Sequence, residues 1–389
     1  MKAGFRNKQF DFVLLFIILA ILGVGLLMCA SSGFVRSSYL SGDAVRMMRS
    51  QFIYAALGLA VMIGVSFVDY RIYKKFAGII LWVVVGINLI TPFIGRTWND
   101  ASRWISIGGG AIRFQPSEFL KVAVIIYLAS VLSDSRMGER SKGWYGMITV
   151  IAPFGIALVS VLIQKHASAT IIIALIGASI IIFAGMRWYI YLTGAAAGAG
   201  VVGLIIVIKK DLFEHIGNRL AVYKATFFGN TAMNLPADET LSETQLAQIR
   251  NSLWAIGSGG LTGAGFGKSI QKYSYLPEAY NDFVFAITAE ELGFAGVTVI
   301  ILLYLALILR GIRVAFSCKD SLGSLMAAGI IVMITVQTVF NMAVVSALIP
   351  VTGVGLPMFS HGGTSLVTIL GSMGILLNIA KQSDYPKLG

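Results

Sequence analysis

Charge, cysteine and histidine are all scarce in this sequence. Of 389 residues only 12% are Asp, Glu, Lys or Arg, against roughly 25% in a soluble domain, which excludes both an ordinary soluble fold and a charge-rich disordered chain. Two cysteines, Cys29 in the first apolar run and Cys318 in a basic stretch, exclude a disulfide framework. Three dispersed histidines, His166, His215 and His361, supply no zinc cluster. Acidic residues are fewer than basic ones, 18 against 30. The resulting charge of +12 is spread over many short connections instead of one stripe or tail, so nucleic acid is not an expected partner. What is abundant is apolar: 57% of residues, with a mean hydropathy of +0.82.

A membrane helix needs about 20 apolar residues to cross about 30 Å of hydrocarbon. Runs of that kind lie near 10–30, 52–67, 76–94, 117–132, 145–163, 168–185, 189–208, 283–309, 325–348 and 365–380, which predicts ten spans. The first follows Lys2, Arg6 and Lys8 as a signal peptide would, but its length and the runs behind it point to an uncleaved span. No alternating barrel pattern is present, so the expected fold is all-α and polytopic, with residues 1–389 as a single transmembrane domain. Lys and Arg favour one set of short connections, among them Lys2, Arg71, Lys74, Arg140, Arg310 and Lys381. The alternate set, including Arg36, Arg46, Arg103 and Lys165, holds about half as many. Both termini are therefore expected in the cytoplasm. The large polar connection 209–281, between spans seven and eight, is expected outside.

Charged residues inside spans are costly and are functional candidates for that reason. Glu118 and Lys121 share one face at the start of the fourth span, behind Gln115-Pro116-Ser117. Spacing alone leaves two readings: a self-neutralising ion pair, or a phosphate-binding lysine held by its glutamate. Upstream, Trp98 and Trp104 suit the headgroup level, while Arg96, Arg103 and Arg113 suit either lipid phosphates or a bound pyrophosphate. Asp282 opens the eighth span, as a helix cap or as a carboxylate near the membrane surface suited to act as a base. Glu290 and Glu291 lie deeper in the same span, where at least one needs an interhelical partner. Gln337 and Asn341 share a face of the ninth span, for packing or for substrate. The Gly- and Pro-rich connection from Ile349 to Ser365 reads as re-entrant or pressed into the protein. The stretch Gly257 to Ser269 fails the Walker A spacing, because Thr262 stands where the first glycine belongs. A compact turn whose amides approach an anion fits it instead.

Three segments together resemble one family. They are Gln115-Pro116-Ser117-Glu118-Phe119-Leu120-Lys121 behind an Arg-Trp-Ile segment, the long run from Ala255 to Gly293, and Leu348 to Ser365. The sequence is similar along essentially its whole length to the SEDS proteins of bacterial cell-wall synthesis, FtsW, RodA and SpoVE. Its Leu276-Pro277-Glu278-Ala279 leans toward the FtsW branch. The resemblance implies a peptidoglycan glycosyltransferase of the cytoplasmic membrane that polymerises lipid II beside a class B penicillin-binding protein and other divisome or elongasome membrane proteins. The essential carboxylate falls on Asp282, and the important Glu and Lys of the fourth span on Glu118 and Lys121. Substrate contacts are implied at Arg103, Gln248, Ser252, Lys272, Gln337, Asn341 and Ser360, and a divalent cation, Mg2+ or Mn2+, by the family alone. Departures occur at Asn281, Lys165-His166, Asn251, His361 and Thr364, none of which touches Asp282. Two other classes stay open on the residues: a lipid II flippase, and a non-enzymatic scaffold for the transpeptidase.

Overall fold

The computed structural model describes residues 10–94, 96–98, 101–107, 112–133, 144–185, 239–273 and 275–383. Ten helices run through them: α1 Phe12–Ser41, α2 Arg46–Phe67, α3 Arg71–Ile94, α4 Pro116–Leu132, α5 Trp144–Leu162, α6 Ala167–Phe183, α7 Glu239–Ser258, α8 Val284–Ser317, α9 Ser321–Val345 and α10 Gly363–Gln382. Nine of the ten expected spans coincide with a helix, and the seventh, 189–208, lies outside the described residues. Six of these helices (α1, α2, α3, α8, α9 and α10) are long and apolar enough to cross a membrane. The chain is a polytopic helical membrane protein.

Two buried polar contacts join α1 to α8 and set their antiparallel register. Asp11 caps α1, accepting from Leu14 N at 3.0 Å, and takes a bidentate pair from Arg310 Nε and Nη2 at 3.1 and 2.9 Å. Farther along, Ser31 Oγ donates to Glu291 at 2.7 and 2.8 Å. The contacts are separated by about 30 Å at ~1.5 Å per residue, the thickness of a hydrocarbon core. At the Asp11 end, Tyr70 N donates to Asn378 Oδ1 at 3.1 Å and the Tyr70 hydroxyl to Asp320 at 2.9 Å, so the α2–α3 and α8–α9 connections and the end of α10 are tied together. There burial, followed by the nearby Cys318 and Asp320, pushes the Tyr70 phenol well above its ordinary value. Helices α9 and α10 are largely buried, α9 among α8, α6 and α4 and α10 chiefly against α2, whereas α2, α3 and α8 also present apolar side chains outward, as lipid-facing helices do.

The opposite end carries one feature beyond the all-helical expectation. Between α3 and α4, β1 Arg96–Trp98, β2 Ala101–Ile107 and β3 Ile112–Phe114 form an antiparallel sheet in that order, with Arg96 opposite Trp104 and Ser106 opposite Arg113. The connection lies beyond the hydrocarbon, where water can satisfy strand edges. Asn99-Asp100 and Gly108-Gly109-Gly110 separate the strands and are turn-forming residues. The described part of the expected loop 209–281 begins at Glu239 with the 20-residue helix α7.

Candidate active site

Asp282 lies just before α8, half-buried, with buried Phe283 as the first residue beyond it. Its backbone is fixed from α9: Asn341 Nδ2 donates to Asp282 O at 2.7 Å and to Val354 O at 2.8 Å. One amide thus joins the carboxylate segment to the connection between α9 and α10. Ser360 strengthens that joint, donating to Asn281 O at 2.6 Å and accepting from Leu356 N at 2.7 Å, while His361 N donates to Tyr280 O at 3.1 Å.

The connection 349–362 is pressed into the protein. Val354, Leu356, Met358 and Phe359 are buried. The Tyr304 hydroxyl of α8 donates to Pro357 O, and Gln51 of α2 exchanges hydrogen bonds with Ser360 O and Gly362 N at 3.2 and 3.3 Å. Irregular backbone survives at such depth because protein groups satisfy it. Gly353 adopts φ +74, a left-handed conformation that favours glycine, and a Cβ added there would stand 3.5 Å from Asp282 Oδ2. The carboxylate therefore faces a stretch of backbone that carries no side chain.

A second polar group meets the same connection from the other side. Glu118 and Lys121, one turn apart on α4, form a buried ion pair at 2.8 Å. Ser117 Oγ and His166 Nδ1 are 3.4 Å apart, and Ser168, two residues along at the start of α6, donates to Thr352 O. A run of residues thus leads from Asp282 past Gly353 and Thr352 to Ser168 at the start of α6, and from His166, two residues before it, to Ser117 beside Glu118. Arg103 of β2 joins this corner by donating to Lys165 O at 2.6 Å. Around it, Glu118 Oε2, Gln337 Nε2, Thr338 Oγ1, Asn341 Oδ1 and Thr352 Oγ1 are buried with no hydrogen-bond partner among the described residues. Unsatisfied polar atoms are rare in protein interiors, and a group of them marks room for a polar ligand.

The other expected positions fall elsewhere. Lys272 is turned away from Asp282: its ammonium is buried and donates to Glu291 Oε1 at 2.9 Å, Ser31 Oγ at 3.1 Å and Gly267 O at 2.7 Å. Ser252 Oγ donates to Val345 O at 2.7 Å and joins α7 to the end of α9. Gln248 is half-buried on α7, one turn before Asn251, whose amide donates to Tyr275 O. Sequence reasoning passed over Ser168, Thr338 and Thr352. Their signal was a short hydroxyl side chain in an apolar or glycine-rich surrounding.

Tyr280 is pushed up to about 12, first by burial, then by the negative charge of Glu278 and its hydrogen bond, with Asp282 adding and Arg36 opposing. It stays a neutral phenol beside the carboxylate. No group of three or more His, Cys, Asp or Glu arranged for a metal occurs among the described residues. The oxygens at hand, the Asp282 carboxylate, Glu118 Oε2, Asn341 Oδ1 and Thr352 Oγ1, are hard donors. Mg2+ is commonly held by one or two carboxylates together with substrate phosphates, so this set fits Mg2+ or Mn2+ arriving with a phosphorylated substrate.

Known proteins resemble this chain along nearly its whole length. Residues 12–385 match the family described as cell cycle protein, FtsW/RodA/SpoVE. Stage V sporulation protein E of Bacillus subtilis is 35% identical over 380 residues, covering 96% of this chain and 98% of that protein. The probable peptidoglycan glycosyltransferase FtsW of the same organism is 36% identical over 389 residues, covering 97% and 92%. In fold, the chain superposes on a component of a peptidoglycan synthase complex with a TM-score of 0.71 at 23% identity, covering 96% and 98%. The crystal structure of Thermus thermophilus RodA gives a TM-score of 0.67 at 23% identity, covering 97% and 98%. The chain belongs to the FtsW/RodA/SpoVE family of polytopic membrane proteins.

Proposed function

We propose that this protein is a peptidoglycan glycosyltransferase that polymerises lipid II into β-1,4-linked strands at the outer face of the bacterial cytoplasmic membrane, beside a class B penicillin-binding protein. The names of its relatives support the activity. The observation that carries the mechanism is the run of residues linking Asp282 to the buried Glu118–Lys121 pair, beside buried polar atoms that have no partner among the described residues.

The donor sugar is linked to a pyrophosphate, which is already a good leaving group. The protein must remove a proton from the acceptor hydroxyl and compensate charge on the departing phosphates. Asp282 accepts that proton as the hydroxyl oxygen attacks the anomeric carbon. The bond from carbon to phosphate oxygen breaks on the opposite side, and lipid pyrophosphate leaves with the electron pair. An α-linked donor becomes a β-linked product. Lys121 has one of its three donors on Glu118, which leaves two for phosphate oxygens. Arg103 adds positive charge at the same corner. A divalent cation held by Asp282, Glu118 Oε2 and substrate phosphates would supply further positive charge to the leaving group. Gln337, Asn341 and Thr352 offer hydrogen bonds to sugar or phosphate.

The test is polymerisation of labelled lipid II by the reconstituted protein with its transpeptidase partner, read as a glycan ladder. Asp282→Asn is expected to fold and to polymerise at least about 100-fold more slowly. A full-strength ladder from that variant sinks the mechanism. Transbilayer movement of lipid II without polymer supports the flippase reading instead, and cell-wall synthesis undisturbed by Asp282→Asn supports the scaffold reading.

A further inference from the structure

Helix α8 is two helices joined across a break at Gly293, where φ is 64 and ψ is −169. In an unbroken helix Phe294 N and Ala295 N would donate to Glu290 O and Glu291 O, four residues back. Here both bonds are opened and re-made with the glycine-rich stretch behind α7. Phe294 N donates to Gly260 O at 2.9 Å and Ala295 N to Leu261 O at 3.0 Å. Glu290 O accepts from Ala264 N at 2.9 Å and Glu291 O from Gly265 N at 3.0 Å. The stretch is inserted into the hydrogen-bond ladder of the helix. Its glycines permit the approach: a Cβ on Gly263 would lie 2.2 Å from Glu291 O, and one on Gly293 2.2 Å from Gly263 N.

The two glutamate side chains complete the lock. Glu290 accepts from Ser269 Oγ, Ile270 N at 2.8 Å and Gln271 N at 3.3 Å. Glu291 accepts from Gly267 N at 2.9 Å, Ser269 N at 3.3 Å, Lys272 Nζ at 2.9 Å and Ser31 Oγ of α1. The amides that the sequence suggested for an external anion are thus occupied by the protein's own carboxylates. The break also frees the short upstream half of α8, residues 284–292, from the orientation of the rest of the helix. That half begins two residues after Asp282, and its residues Val284 to Glu291 are buried.

We propose that Glu291, with Lys272 and Ser31, is a positioning residue for the transferase reaction. The ion pair and the Ser31 hydrogen bonds fix the register of the outer segment against this half-helix. They thereby fix the distance between Asp282 and the connection that carries Gly353. Glu291 touches no reacting atom, and its effect reaches the reaction through placement of Asp282. The inference rests on the catalytic reading of Asp282.

Three variants test it in one polymerisation assay with lipid II. Ser31→Ala removes the contacts of Ser31 Oγ to both Glu291 oxygens and to Lys272 Nζ while leaving the Glu291–Lys272 ion pair in place, and it is expected to lower kcat about three-fold at unchanged KM, with Ser31→Thr restoring the rate. Glu291→Gln with Lys272→Met removes both charges together, since either change alone leaves a buried charge unpaired. That double variant is expected to keep a midpoint of thermal unfolding close to the parent's while kcat stays at least about five-fold down, because small misplacement of a reacting group is costly. Parental kcat in the double variant, or in Ser31→Ala, overturns the positioning role and leaves the lock purely structural. Asp282→Asn run in parallel separates the two failures. Its inactivity beside fully active lock variants refutes this inference alone, whereas its full activity refutes the catalytic reading and this inference with it.

Discussion

The chain buries carboxylates in two places on the same side of the bundle and treats them in opposite ways. Around Glu290 and Glu291 all four side-chain oxygens accept from a donor, and the neighbouring ammonium of Lys272 has three acceptors. On Glu118 one oxygen has no partner among the described residues, and Gln337, Asn341 and Thr352 each bury a polar atom in the same condition. A buried unmet hydrogen-bonding group costs about 1–3 kcal/mol. In the lock the protein satisfies every carboxylate oxygen and the ammonium, and only the neutral Gln271 Oε1 beside them is buried without a partner among the described residues. The persistence of unmet groups along α4, α9 and the 349–362 connection is best understood as a place where substrate completes the set. The contrast separates two kinds of polar residue in one membrane protein, those that hold backbone in place and those that we propose meet the substrate.

The largest expected effect tests that contrast head on. Glu118→Gln with Lys121→Met removes both charges of the open cluster, so the fold should survive, as judged by a monodisperse elution profile and a normal thermal transition. Polymerisation of lipid II should nevertheless fall at least about 100-fold, the scale of losing a donor that stabilises developing charge. The matched double change in the lock should cost far less. Equal losses in the two pairs would erase the distinction. A smaller effect is expected at Asn341 of α9, whose amide joins the Asp282 segment to the connection between α9 and α10. Asn341→Leu leaves Asp282 O and Val354 O without their donor. It should lower stability by about 1–3 kcal/mol and kcat about ten-fold, measured by thermal unfolding and by initial rates at saturating lipid II.

The difference between the clusters was only partly legible in the sequence. The spans were readable because about 20 apolar residues are a local signal, and Glu118, Lys121 and Asp282 stood out as charges where charge is costly. The need of Glu290 or Glu291 for an interhelical partner was readable too, and Ser31 of α1 is that partner. The helical identity of α7 was present in Leu246, Ile249, Leu253 and Ile256 at helical spacing, but the polar composition of the surrounding connection masked it. The small sheet was announced by its turn residues and hidden by the expectation of a uniform helical fold. The break in α8 could not be read locally, because Gly293 is permissive and not decisive. What opens the helix is a segment about thirty residues upstream competing for the same carbonyls. The partners of Lys272 were hidden for the same reason, since its pull toward a carboxylate nineteen positions away is visible only once the chain is folded.

The smallest expected effect concerns the neutral side of the open site. Tyr280 holds its proton up to about 12 in the folded protein, against an ordinary value of 10.0, because burial and the negative charges of Glu278 and Asp282 oppose ionisation. The folded state therefore binds this proton more tightly than the unfolded chain does. Its contribution to stability is complete below about pH 10 and is lost as the pH rises through about 12. Tyr280→Phe has no such proton. Its midpoint of thermal unfolding should fall less than the parent's between pH 8 and pH 11, with lysine titration common to both and cancelling in the difference. At neutral pH the two proteins should polymerise lipid II within about two-fold of each other, because the phenol is uncharged there and the proposed proton acceptor is Asp282. An identical alkaline decline in both proteins would mean that Tyr280 ionises as freely as in water. The site around Asp282 would then be more open to solvent than its contacts with Gly353 and Asn341 indicate.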